Sequence, residues 1–141
     1  MLLRPAFPCS EPSASAVLVT GTSTGLGRQF AFALAARGYR VFCGVRTAKD
    51  AESIRIAAQS RRVDLQPIDL DVTDADLVSA ASGRVQKYLE GRALVAIVMN
   101  AGVQCVGPIE RVPVAEVRKA FEVNVFGLLS LVQRLMPLLR E

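Results

Sequence analysis

Short apolar runs alternate along this chain with stretches in which apolar residues recur every three to four positions. Ala16–Thr20, Arg40–Val45, Val63–Asp69 and Leu94–Met99 are rich in β-branched or other apolar side chains, and the pattern predicts four strands. Between them the spacing predicts helices over Leu26–Ala36, Ala48–Ala58 and Thr73–Glu90, with Gly38 stopping the first. Thr73 reads as the N-cap of the third helix, with Asp74 and Asp76 in its first turn. A longer helix follows over Val114–Leu135, with Pro137 close to its end. Leu94–Met99 is nearly all apolar, which predicts a strand covered on both faces.

Strand–helix alternation of this kind implies parallel strands joined by right-handed crossovers. The expected fold class is α/β, a Rossmann-type doubly wound parallel sheet of strand order 3-2-1-4, with a ligand crevice where the order reverses between strands 1 and 4. Residues 1–15 hold three prolines and no periodicity, and read as a disordered leader. Their one arginine, three serines and one acidic residue also admit an organelle-targeting peptide. Residues 16–141 then form a partial domain, expected to be truncated after the fourth strand and its following helix, which leaves strand 4 as an apolar sheet edge.

Composition narrows the function. A chain of 141 residues, 51% hydrophobic and 21% charged, reads as globular, long enough for one domain and too short for two. Its net charge of +4 includes no basic cluster larger than Arg61-Arg62, which argues against a nucleic-acid partner. The longest apolar stretch, Val123–Leu139, is cut by Asn124, Gln133 and Arg134, so no membrane span is expected. Cys9, Cys43 and Cys105 lack metal-ligand spacing and histidine is absent, which excludes a conventional zinc site and His-based nucleophilic catalysis within the chain. An odd number of cysteines suits a reducing, cytoplasmic setting.

The chemistry begins at Thr20-Gly21-Thr22-Ser23-Thr24-Gly25-Leu26-Gly27, directly after the first strand and opening the first helix. Glycines there let backbone approach a pyrophosphate, and the helix N-terminus supplies N–H donors and positive dipole. A nucleoside-triphosphate loop would end in Gly-Lys-Ser/Thr, whereas Gly27 is followed by Arg28 and Gln29. Gly-x-x-x-Gly-x-Gly after threonine resembles the signature of the short-chain dehydrogenase/reductase family. The resemblance implies that Gly21, Thr22, Ser23, Thr24, Gly25, Leu26 and Gly27 cradle the cofactor.

Three further segments are similar to family motifs, in family order. Asp69-Leu70-Asp71-Val72-Thr73-Asp74 resembles the Asp-Val segment, which implies that Asp71 and Val72 meet the adenine; the residues alone equally allow Asp71 to cap a turn. Met99-Asn100-Ala101-Gly102 resembles Asn-Asn-Ala-Gly with methionine replacing the first asparagine. Asn100, Ala101 and Gly102 would then lie against the adenosine ribose, and Asn100 would also tie neighbouring strand ends together. Phe121-Glu122-Val123-Asn124-Val125-Phe126-Gly127 resembles the segment whose asparagine belongs to a catalytic tetrad, which implies a catalytic role for Asn124. An amide among valines and phenylalanines inside a helix is also costly unless satisfied.

Cofactor choice follows from charge. Gly44-Val45-Arg46 ends the second strand with no carboxylate before Asp50, so Arg46 can offer its fork to a 2′-phosphate, which favours NADP. If Arg46 instead stacks on adenine, NAD is tolerated too. The resemblance further implies hydride transfer between the nicotinamide and a small-molecule alcohol or carbonyl, and an option of homo-oligomers through the helices Thr73–Glu90 and Val114–Leu135. That chemistry uses a tyrosine with a lysine four residues on; here Tyr39 and Tyr88 are followed at that distance by Cys43 and Arg92. The expected function is therefore the cofactor-binding half of an NADP-dependent oxidoreductase, inactive by itself, with a non-catalytic nucleotide-binding or partner-binding module as the alternative.

Overall fold

The computed structural model describes residues 11–140. Four parallel strands, β1 (Ser15–Val19), β2 (Arg40–Val45), β3 (Leu65–Asp69) and β4 (Ala93–Val98), form one sheet in the order β3-β2-β1-β4. The expected doubly wound order is thus observed. Crossover helices α1 (Gly25–Ala35) and α2 (Ala48–Arg61) cover one face, and α3 (Ala75–Tyr88) and α5 (Leu128–Arg140) the other. Period-two alternation sorts the central strand between these layers. Val17 and Val19 pack with Ala31, Ala35, Ile54 and Ala58, whereas Ala16 and Leu18 pack with Val78, Val85, Leu131 and Leu135.

Several boundaries differ from those expected, each for a local reason. The supposed leader falls on residues 1–10, which lie outside the described residues, and on 11–15, where Pro12–Ala14 makes a 3-10 turn and Ser15 opens β1. Helix α2 runs three residues beyond Ala58 and stops only when Arg62 turns left-handed, at φ 53°. The N-cap of α3 is Asp74, not Thr73. Asp74 accepts the N–H groups of Asp76 and Leu77, while the Thr73 hydroxyl is already spent on Asp71. Strand β4 is only half-buried over Val95–Val98 because β1 pairs with just one of its edges.

The last helical stretch is also more complex than a single helix over Val114–Leu135. It consists of α4 (Val114–Phe121), a π-helical turn (Glu122–Gly127) and α5, which carries Pro137 in its interior. Leu135 and Leu138, buried on either side of Pro137, anchor the helix across the missing N–H. By length and composition alone, Val114–Arg140 could cross a membrane, although Asn124, Gln133 and Arg134 interrupt it. Leu128, Leu131, Leu135 and Leu138 on one face of it belong instead to the core beneath the sheet.

Two ends of the sheet have different chemistry. At the N-terminal edge, the nearly buried Arg40 guanidinium pairs with Asp64 and Glu90, each at 2.8 Å, and donates to the Tyr88 carbonyl at 2.6 Å. Burial alone would push the Asp64 carboxyl up, but Gln66, Arg40 and Arg92 together hold it below the usual carboxylate value. The C-terminal edge is built differently and opens into a cleft.

Candidate functional site

The cleft lies where the strand order reverses, as the fold predicts. It encloses about 380 Å³, within the usual range of small-molecule sites. Its floor is made by Thr20, Gly21 and Asn100, one wall by Val45, Arg46 and Asp71–Thr73, and the other by Ala101–Val103 and Val123.

The glycine turn is shaped by contacts a side chain would block. Gly21 sits at φ 67°, and a Cβ there would meet the Ala101 Cα at 3.0 Å. Gly27 lies in the first turn of α1, pressed against the Asn100 amide and the Gly21 carbonyl, so a Cβ has no room. Gly25, at φ 61°, faces open space instead. The N-terminus of α1 carries no acidic residue in its first turn and no side-chain cap, whereas α2 and α3 have both. That leaves positive dipole and N–H donors uncompensated beside the cleft, a fit for an anionic phosphate.

Asn100 and Thr20 bind the C-terminal ends of β4 and β1 together. The Thr20 hydroxyl accepts the N–H groups of Asn100 and Ala101, and the Asn100 amide donates to the carbonyls of Thr20 and Gly21 at 3.0 and 3.1 Å. Asn100 thus ties the strand ends, as expected, and also lines the cleft.

Asp71 builds an Asx turn, its Oδ1 accepting the Thr73 hydroxyl at 2.7 Å and the Thr73 N–H at 2.9 Å. Those two bonds, the hydroxyl first, hold its carboxyl below the usual range, with Arg46 adding a smaller favourable charge. Turn-making and cleft-lining are thus combined at Asp71, and only one of its carboxylate oxygens is engaged by Thr73.

Of the residues expected from sequence, the structure brings Gly21, Ser23, Thr24, Arg46, Asp71, Val72, Asn100, Ala101 and Gly102 into one cleft. Thr22 is placed behind it, fully buried, with its N–H and hydroxyl both directed to the Gly44 carbonyl. Gly25, Gly27 and the exposed Leu26 lie outside the lining. Asn124 stands next to it. Its amide forms a reciprocal pair with the backbone of Val103, accepting the N–H at 2.8 Å and donating to the carbonyl at 2.9 Å. The setting of Asn124 is not the buried apolar one expected, because Asn124 is exposed and Phe121, Val125 and Phe126 around it are 53%, 44% and 53% exposed.

Thr20 and Val103 are structural partners beyond the residues expected from sequence. The position of Thr20 immediately before Gly21 is a usable signal; Val103 carries none, because any residue offers the backbone groups it uses. Among the described residues no group of histidines, cysteines or carboxylates is placed to hold a metal.

Comparison with known proteins agrees with this geometry. The sequence profile of the family described as short chain dehydrogenase matches residues 15–141. An oxidoreductase of Myxococcus xanthus is 37% identical over 133 residues, which are 94% of this chain and 51% of that protein. An NADPH-dependent 3-dehydrocapnine reductase of Ornithobacterium rhinotracheale is 35% identical over 86% of this chain and 42% of its own length. Among solved structures, an NADPH-bound carbonyl reductase from chicken fatty liver superposes with a TM-score of 0.79 at 27% identity, covering 87% of this chain and 50% of that one. The chain therefore spans about half the length of the relatives it matches.

Proposed function

This chain belongs to the short-chain dehydrogenase family, and from that premise we propose that its cleft is the NADP site of an alcohol- or carbonyl-directed oxidoreductase. The observation that carries the proposal is the convergence of Gly21, Asp71, Asn100 and Arg46 on one cleft beside the uncapped N-terminus of α1. In this reading the turn around Ser23 and Thr24 receives the pyrophosphate, Asp71 and Val72 face the adenine, and Asn100–Gly102 bound the adenosine ribose. Arg46, exposed at the rim with no carboxylate before Asp50, receives the 2′-phosphate. Support comes from the named NADPH dependence of the Ornithobacterium relative and the NADPH bound in the chicken reductase. NAD binding is the lesser outcome, favoured only if Arg46 stacks rather than pairs.

The nicotinamide, when bound, supplies or accepts hydride. The residues of this chain bind and orient it. Asn124 acts here as a positioning group, because both polar ends of its side chain are committed to Val103.

A proton donor of the family type is a separate matter. Tyr39 enters β2 and Tyr88 ends α3, where its carbonyl meets Arg40, so both lie at the sheet edge opposite the cleft. The second reading is a nucleotide-binding module without turnover. Both readings predict that residues 1–141 bind NADPH without oxidising it across a panel of carbonyl compounds. Loss of reduced-nicotinamide absorbance with the pure chain would overturn the assignment of inactivity. Absence of any binding would overturn the cofactor site.

A further inference from the structure

The π-helical turn Glu122–Gly127 touches the cleft at more places than the asparagine motif requires. Val123 lines the cleft directly, and Asn124 grips the Val103 backbone on one wall. Gly127, at the end of the same turn, is buried against the opposite wall. A Cβ on it would stand 2.5 Å from the Val72 carbonyl oxygen and 2.8 Å from the Val72 carbonyl carbon. Those neighbours are backbone, which cannot rotate aside as a side-chain tip can. Val72 in turn sits inside the Asp71–Thr73 turn that lines the cleft.

We infer that Gly127 is a positioning residue for the cleft. By lacking a Cβ it seats the π-helical turn on the Val72 carbonyl, and the turn thereby sets the distance between the Asp71–Thr73 wall and the Val103 wall. The glycine is otherwise unfavourable where it stands, since helical positions prefer alanine. A π-helical turn inserts an extra residue into the helical repeat, which aims Asn124 and Gly127 at opposite walls from a short stretch of chain. This inference rests on the cofactor reading for its consequence, though not for its geometry.

The test compares Gly127→Ala with Gly83→Ala in residues 1–141. Gly83 is a control in α3 whose Cβ would meet no atom within 4 Å. Amide hydrogen exchange is followed without ligand at Thr73, whose N–H is held by Asp71, and at Val103, whose N–H is held by Asn124. Gly127→Ala is expected to speed exchange at both amides by about tenfold while those of central β1 keep their rates, and Gly83→Ala to change neither. NADPH binding should weaken by about tenfold in Gly127→Ala alone. Wild-type exchange at Thr73 and Val103, or equal acceleration throughout β1, would overturn the inference. If Gly127→Ala does not fold while Gly83→Ala does, the glycine is a determinant of the whole fold and not of the cleft, and the inference fails. A wild-type chain that fails to bind NADPH would refute the cofactor reading, while the exchange rates would still decide the role of Gly127.

Discussion

The hydroxyl of Thr20 accepts two consecutive backbone N–H groups, from Asn100 at 2.9 Å and Ala101 at 2.8 Å, while the Asn100 side chain donates back to the Thr20 carbonyl at 3.0 Å. Thr20 is 1% exposed, so no water can replace that oxygen without rearrangement. The first expectation follows. Thr20→Val should lose about 2–3 kcal/mol of stability by leaving two N–H groups without an acceptor, and Thr20→Ser should retain most of it. Urea unfolding of the three chains gives the comparison.

A second expectation separates two glycines of one motif. Gly25→Ala meets no neighbour and bears only the left-handed backbone at φ 61°, a cost of about 1 kcal/mol. Gly27→Ala drives a methyl group into the Asn100 amide and the Gly21 carbonyl, so it should cost about 3 kcal/mol or more and open the strand junction. Helix propensity alone predicts a gain at Gly27, which makes the sign of the measured change decisive.

The contrast shows what the sequence could carry. Strand order, element types and the grouping of Gly21, Asp71, Asn100 and Arg46 were legible because period-two and helical patterns determine which face is buried, and the doubly wound topology gathers strand C-termini. Glycine spacing, however, did not distinguish a residue facing ligand from one facing its own backbone. Thr22 and Gly27 turn inward, and only the crossing of Gly44 and Asn100 behind the turn makes that so. The π-helical turn escaped notice for a similar reason. Its apolar residues continue a helical pattern, and its partners Val103 and Val72 lie far from it in sequence.

A third expectation concerns cofactor choice. Arg46→Ala should weaken NADPH binding by about tenfold and leave NADH within about twofold, since only NADPH carries the 2′-phosphate. The difference between wild type and variant should shrink as salt is raised, because Arg46 is exposed. Equal losses for both cofactors would instead indicate stacking on adenine.

A fourth expectation concerns the thiols. Burial pushes the Cys43 thiol up to about 12, against smaller opposing effects from Thr22 and Arg28. Native protein should therefore be modified at the exposed Cys105 while Cys43 stays protected, as read by mass spectrometry after alkylation. The folded state holds a proton that the unfolded chain releases above pH about 8.5, so this stabilisation is present at lower pH and declines as pH rises toward 12. The decline is at most about 1.4 kcal/mol per pH unit and should be absent in Cys43→Ala.

The most direct test of the cofactor site is an equilibrium titration of residues 1–141 with NADPH and with NADH, followed by reduced-nicotinamide fluorescence and by calorimetry. The expected result is saturable one-to-one binding of both, with NADPH at least about tenfold tighter. Tighter binding of NADH, or no saturable binding of either by a folded chain, would contradict it.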